Sequence, residues 1–191
     1  MLHEMYVEYT YDNKVKMCEN IYMLTNYDLE ELCEFYDAPL RGIYMKDMLP
    51  KQVQNGNYII NLESSDGGRN NGTHWTCLIV NNKNTMFYDP YGAPPSIEIR
   101  DFVKRRKNAH LGFSNWVIQD LKSENCGYFV LSFLIYVGGF DLYARANKYL
   151  NRFVDDTRKN DEILKSSLRV LRKYHPLIQR LYSQSPGKTK V

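Results

Sequence analysis

The chain has 191 residues, 43% hydrophobic and 25% charged, which is room for one domain with a full core or a domain plus an appendage. Sixteen tyrosines help bring the aromatic share to 14%, a composition that excludes a wholly disordered chain. The net charge of +3 is unevenly divided: residues 1–156 carry 16 Lys+Arg against 20 Asp+Glu, and residues 157–191 carry 9 against 2, so the basic end points to an anionic partner.

Taken in chain order, Thr25-Asn26-Tyr27-Asp28 reads as a capped helix start, with Leu29, Leu32 and Phe35/Tyr36 at helical spacing. Asp37-Ala38-Pro39 ends that helix. LRGIYMKDMLPKQVQNG (40–56) reads as a loop-rich stretch and NYIINLE (57–63) as a buried strand. SSDGGRNNG (64–72) has no apolar anchor and is expected at the surface as a moving loop. HWTCLIVN (74–81) and TMFYD (85–89) read as two strands joined by the turn NNKN. PYGAPP breaks the pattern, SIEIRDFVKRRK (96–107) is an amphipathic helix with a basic end, and WVIQD (116–120) reads as a short strand. Cys126–Val137 is apolar on all sides, so a helix there must be covered all round. Gly138-Gly139 stops it, and helices follow over 141–153 and 161–174. The expected class is α+β, with a small sheet packed on the buried central helix.

Four cysteines, at positions 18, 33, 77 and 126, are too few for a disulfide framework, and no CxxC or Cys/His metal spacing occurs. Cys18, Cys33 and Cys77 are expected to fill core or semi-buried positions, Cys77 on the inner face of its strand. MLHEMYVEYT lacks the pattern of a signal or transit peptide, and the apolar run Tyr128–Val137 falls short of the roughly 20 residues that span a bilayer. The expectation is therefore a protein of a reducing compartment, without membrane attachment.

Why a polar loop should end at Asn125 and a fully apolar helix begin with Cys126 is the question on which function turns. Hydrolysis through a thiol needs a thiolate, an imidazole, an acid to orient the imidazole, and donors for the oxyanion. His74 starts one predicted strand and Asp89 ends the next. A turn centred on residues 81–82 would place position 74 opposite about position 89. Gln119 closes the next predicted strand. Cys126 at a helix N-terminus sits where the macrodipole favours an anion, and Gly127 lets a neighbouring group approach the backbone.

GTHW (72–75), FYDPYG (87–92), Gln119 and NCGYF (125–129) together resemble the adenovirus-type cysteine proteases, the superfamily that also holds the SUMO-deconjugating proteases. TNYDLEELCEFYDAPLRGIYMKDMLP (25–50) further resembles the front end of the proteases encoded by virophages and Polinton-type elements. The resemblance covers roughly residues 20–140. It implies a papain-like or adenain-like fold with Cys126 as nucleophile, His74 as base, Asp89 as orienting acid and Gln119 as oxyanion donor beside the Cys126 N–H. It places Trp75 against the catalytic pair, and with it Gly72, Asn125 and Gly127 around the substrate. The activity implied is a viral thiol endopeptidase that cuts capsid or core precursors at glycine-containing sites, in the virion and the infected-host cytoplasm. Two departures stand out. The best-known adenoviral enzyme has glutamate where this chain has Asp89. Its activating peptide is disulfide-linked to a cysteine between the acid and the glutamine, where this chain has none.

The domain reading is a protease domain over 1–156, a basic helical segment over 157–182 packed on or appended to it, and a flexible tail over 183–191. No metal or cofactor is called for; DNA or a peptide remains a candidate activator. DNA is also a candidate partner for Lys104, Arg105, Arg106 and Lys107, and for Arg169, Arg172 and Lys173. The competing reading of the first four is a solvated helix end, and that of the last segment is a helix docked on the acidic body. A monomer is expected. Two other functions fit parts of the pattern: removal of a ubiquitin-like modifier by the same triad, and a DNA-associated virion protein with a dormant protease core.

Overall fold

The structure is a computed structural model that describes residues 23–66, 74–138 and 141–172, with side chains of the last helix described to residue 167. Cys18, Gly72, Lys173 and the tail over 183–191 lie outside the described residues, as do the side chains of Arg169 and Arg172.

The first helix, α1 (Asn26–Phe35), begins where the sequence places it. Thr25 Oγ1 accepts from the Asp28 N–H at 3.2 Å and Asp28 Oδ2 accepts from the Thr25 N–H at 2.8 Å, a reciprocal cap that contributes about 1 kcal/mol. Leu29, Leu32 and Cys33 form its buried face. The chain then forms β1 (Leu40–Met45), β2 (Gly56–Asn61), β3 (Trp75–Asn81) and β4 (Asn84–Tyr88). Next come α2 (Ile97–Lys104), β5 (His110–Phe113), α3 (Cys126–Val137), α4 (Leu142–Leu150) and α5 (Thr157–Arg172).

The five strands form one mixed sheet in the order β1-β2-β3-β4-β5, with β2, β3 and β4 antiparallel and both outer strands parallel to their neighbours. Alternate side chains divide it into two packed faces. Ile59, Cys77, Ile79, Met86 and Tyr88 face α3, α1 and α4; Tyr58, Ile60, Leu78, Val80 and Phe87 face α2. Burial on both faces explains why these strands read as near-continuous apolar runs. At the centre of the first face, Phe133 of α3 stacks on Tyr88 with centroids 4.1 Å apart, and Tyr149 of α4 meets both edge-on. The α+β arrangement around a buried helix that opens at Cys126 is thus the one expected.

Two segments differ from the sequence reading. The loop-rich stretch 40–56 contains β1, an edge strand with no fully buried residue that pairs with β2 alone. Its Arg and Gly hide it from a propensity reading, because neighbour pairing rather than local preference makes it a strand. The predicted strand 116–120 is irregular, and β5 lies earlier, at 110–113, parallel to β4. The N–H groups of Ile118 and Gln119 both go to Pro90 O, at 2.9 and 3.0 Å, so WVIQD has no strand partner despite its β-branched composition. Among the described residues, no helix is long and apolar enough to cross a membrane.

Candidate active site

The last residues of the β3–β4 hairpin bring an imidazole and a carboxylate together. The register Cys77↔Tyr88 through Asn81↔Asn84 centres the turn on Asn82 and Lys83, one residue later than expected. Continued by one step it sets Thr76, not His74, opposite Asp89. The long His74 ring closes the offset: Nε2 lies 2.8 Å from Asp89 Oδ1. An ionised carboxylate only accepts, so the proton sits on Nε2 and Nδ1 faces the remaining partner. That partner is the Cys126 thiol, which is hydrogen-bonded to His74.

Burial alone would lower the His74 pKa. The hydrogen bonds from its ring to Asp89 and Cys126, with the charges of both, outweigh that and raise it to about 9. The side chain of His74 is 19% exposed and that of Asp89 1%, so the ring keeps some contact with solvent while its carboxylate partner has almost none. Asp89 Oδ1 also accepts from the Tyr91 N–H at 2.8 Å, while Oδ2 is buried without a hydrogen-bond partner. Leaving a buried acceptor unmet costs about 1–3 kcal/mol, a cost that cores ordinarily avoid.

The turn after Asp89 supports the other half of the site. Its Gly92 N–H closes on Asp89 O at 2.9 Å. Gly92 has φ +67°, and a Cβ there would lie 2.8 Å from the Trp116 carbonyl carbon and 2.9 Å from Asn115 O. Only glycine allows both the backbone angle and the contact. The same turn offers Pro90 O to the N–H groups of Ile118 and Gln119. Tyr91 stacks on the His74 ring, centroids 4.4 Å apart at 18°. Its hydroxyl accepts from Gln119 Nε2 at 3.3 Å and donates to Ser123 O at 3.3 Å. Gln119 is fully buried; its Nε2 donates to Ser123 O at 2.8 Å, and its Oε1 has no partner. One amide proton is therefore fixed on Ser123, and the second meets only the long contact with Tyr91.

Cys126 opens α3, whose buried residues fix it in the core. Asn125 does not cap that helix with its side chain; Nδ2 donates to Asp161 Oδ2 of α5 at 3.1 Å. Trp75 is 5% exposed and donates from Nε1 to Leu24 O at 3.0 Å. What approaches Gly127 closely is Leu24 and Trp75: a Cβ there would lie 3.1 Å from Leu24 Cβ. Trp75, Asn125 and Gly127 are thus all buried, as is Cys126, and none presents a broad surface to solvent.

The structure brings His74, Asp89, Gln119 and Cys126 into one network. It leaves the cationic run elsewhere, on the end of α2, which covers the opposite face of the sheet. Lys104 pairs with Asp101 at 3.2 Å, and Arg105 donates to Pro50 O at 3.1 Å while lying over the Phe102 ring. Tyr91, Asn160 and Asp161 are functional-looking residues that sequence reasoning passed over. Tyr91 lay inside the FYDPYG motif without a role, and the other two sat in a segment read for its charge. Cys33 and Cys77 are buried thiols, and burial pushes Cys33 up to about 12, which makes both poor nucleophiles. Among the described residues, no group of three or more His, Cys, Asp or Glu side chains is placed to hold a metal ion.

No family model and no curated protein matches the chain. Among solved structures it is similar to two crystal structures of the ASFV pS273R protease. One, at TM-score 0.47 and 12% identity, is matched over 74% of this chain and 65% of that one. The other, of the selenomethionine protein, has TM-score 0.40 and 14% identity over 61% of this chain and 58% of that one. The chain thus spans less than two-thirds of the length of either neighbour, and the chemistry rests on its own side chains.

Proposed function

We propose that this chain is a cysteine endopeptidase of the adenovirus type, in the group carried by virophages and Polinton-type elements. The observation that carries the reading is a single imidazole bonded to a buried carboxylate on one side and to a thiol at a helix N-terminus on the other. His74 holds the proton that leaves Cys126 as the sulfur attacks the scissile carbonyl. The Sγ–C bond forms, and the carbonyl oxygen takes the negative charge. That oxygen would sit between the Cys126 N–H and the second amide proton of Gln119, taking the latter from Tyr91. His74 then protonates the departing amine, the C–N bond breaks, and the acyl group remains on sulfur. Water, deprotonated by His74, releases it in the reverse sequence. Asp89 keeps the ring oriented and balances its charge throughout.

The substrates proposed are viral capsid or core precursors cut at glycine-containing sites, in the virion and infected-host cytoplasm. DNA or a peptide as activator, and DNA as partner of the basic C-terminal segment, belong to the same proposal. The test is mass spectrometry of the capsid precursor after incubation with unaltered protein and with Cys126→Ala. Cleavage by the first and none by the second, with unchanged circular dichroism, is expected. Continued cutting by Cys126→Ala would remove the assignment.

A further inference from the structure

The segment after residue 156 was read from its charge, yet its first turns reach into the site. Asp156 caps α5, accepting from the Arg158 and Lys159 N–H groups at 3.2 and 3.4 Å. Leu164 packs into the main core at 1% exposure and fixes the helix there. Asn160, fully buried, exchanges two hydrogen bonds with the Val154 backbone, each 2.8 Å. Its Nδ2 also donates to Ile118 O at 3.1 Å. Asp161, 8% exposed, accepts from Asn125 Nδ2 at 3.1 Å.

Ile118 immediately precedes Gln119, and Asn125 immediately precedes Cys126. Two consecutive residues of α5 therefore hold the two residues that lead into the two oxyanion donors. The backbone between them, 119–125, has no strand or helix of its own to set its shape. That backbone is held as well by the Pro90 carbonyl, the Gln119–Ser123 bond, the Tyr91 hydroxyl on Ser123 O and Gln119, local turns around Asp120, and an exposed 3.5 Å contact of Arg158 with Asp120. Asp161 also interacts with Ser123 and the Asp120 backbone.

We propose that Asn160 and Asp161 are positioning residues for hydrolysis, setting the spacing between the Gln119 amide and the Cys126 N–H from the first turn of α5. The inference rests on the thiol-protease reading above. An oxyanion hole acts only where charge develops, so loosening it slows acyl transfer without weakening substrate binding or blunting the thiol itself. A displacement on the order of 1 Å at such a site can cost about 10²-fold.

The experiment compares full-length unaltered protein with Asp161→Ala, Asp161→Asn and Asn160→Ala. Each is assayed on a fluorogenic peptide amide with glycine before the scissile bond, and separately for the rate of Cys126 alkylation by iodoacetamide, which forms no oxyanion. Asp161→Ala should lower kcat about tenfold or more with KM and alkylation rate unchanged. Asp161→Asn keeps an acceptor for Asn125 and should restore most of kcat. Asn160→Ala should behave as Asp161→Ala does, and in a Gln119→Ala background it should add little. If Asn160→Ala fails to fold, the Asp161 pair decides alone. Wild-type kcat in Asp161→Ala, or hydrolysis and alkylation falling together, overturns this inference while leaving the protease reading standing. Alkylation of unaltered protein without any peptide hydrolysis overturns the protease reading instead.

Discussion

The two halves of the site are held by different means. His74 and Asp89 flank the β3–β4 hairpin, so their positions follow from a ladder of backbone hydrogen bonds and a two-residue turn. Gln119 and the approach to Cys126 lie on irregular backbone, held by Pro90, Tyr91, Asn160 and Asp161, each distant in sequence. Acid–base chemistry tolerates the hairpin's regular geometry because one long ring spans a register offset. In the proposed mechanism two oxyanion donors must meet a single oxygen, and no regular element among the described residues supplies that spacing.

The sharpest way to probe the hairpin half is Asp89→Asn. It preserves shape but denies His74 Nε2 a charged acceptor, and kcat should fall about 10⁴-fold, the size this exchange has in serine-protease triads. The ring should lose its elevated pKa as well, visible in an NMR titration of His74. A smaller effect is expected from the loop half: Gln119→Ala should lower kcat by about 10²–10³-fold with KM little changed in steady-state assays. If Gln119→Ala proves the more damaging, the hairpin is not the dominant half.

Thermal unfolding across pH reads the hairpin half in another way. A pKa raised to about 9 means the folded state holds the His74 proton more tightly than the unfolded chain does. Its contribution to stability is fully present below the ordinary value near 6.5 and is lost as pH rises through about 9. Tm should therefore decline over that window in unaltered protein, and Asp89→Asn should flatten the decline. The smallest effect belongs to Lys104→Ala, on the far face of the sheet: its exposed pair with Asp101 predicts a stability change within about 0.5 kcal/mol and unaltered kcat.

The same division governs what the sequence reveals. The capping box at Thr25, the apolar strands at 57–63 and 75–81 and the apolar helix at 126–137 carry local patterns that their surroundings reinforce. His74, Asp89, Gln119 and Cys126 were findable because they occur in one order with recognisable neighbours. What could not be read depends on distant partners: β1 on its pairing with β2, and the 114–125 stretch on a carbonyl at Pro90. WVIQD has the composition of a strand, yet the N–H groups of Ile118 and Gln119 go to the turn at Pro90. Asn160 and Asp161 gave no local signal, since a buried amide and carboxyl inside a basic helix look like surface positions until their partners are known.

Chain order gives the α5 tether a temporal meaning. During synthesis the imidazole, its carboxylate and the sulfur all leave the ribosome before Asn160 and Asp161 do. On the proposed reading, the nascent chain would own a nucleophile before it owns a finished cradle for the reacting oxygen, and full cutting power would arrive with the last described helix. A protease made beside its substrates would gain a delay from that order, without needing a separate inhibitor.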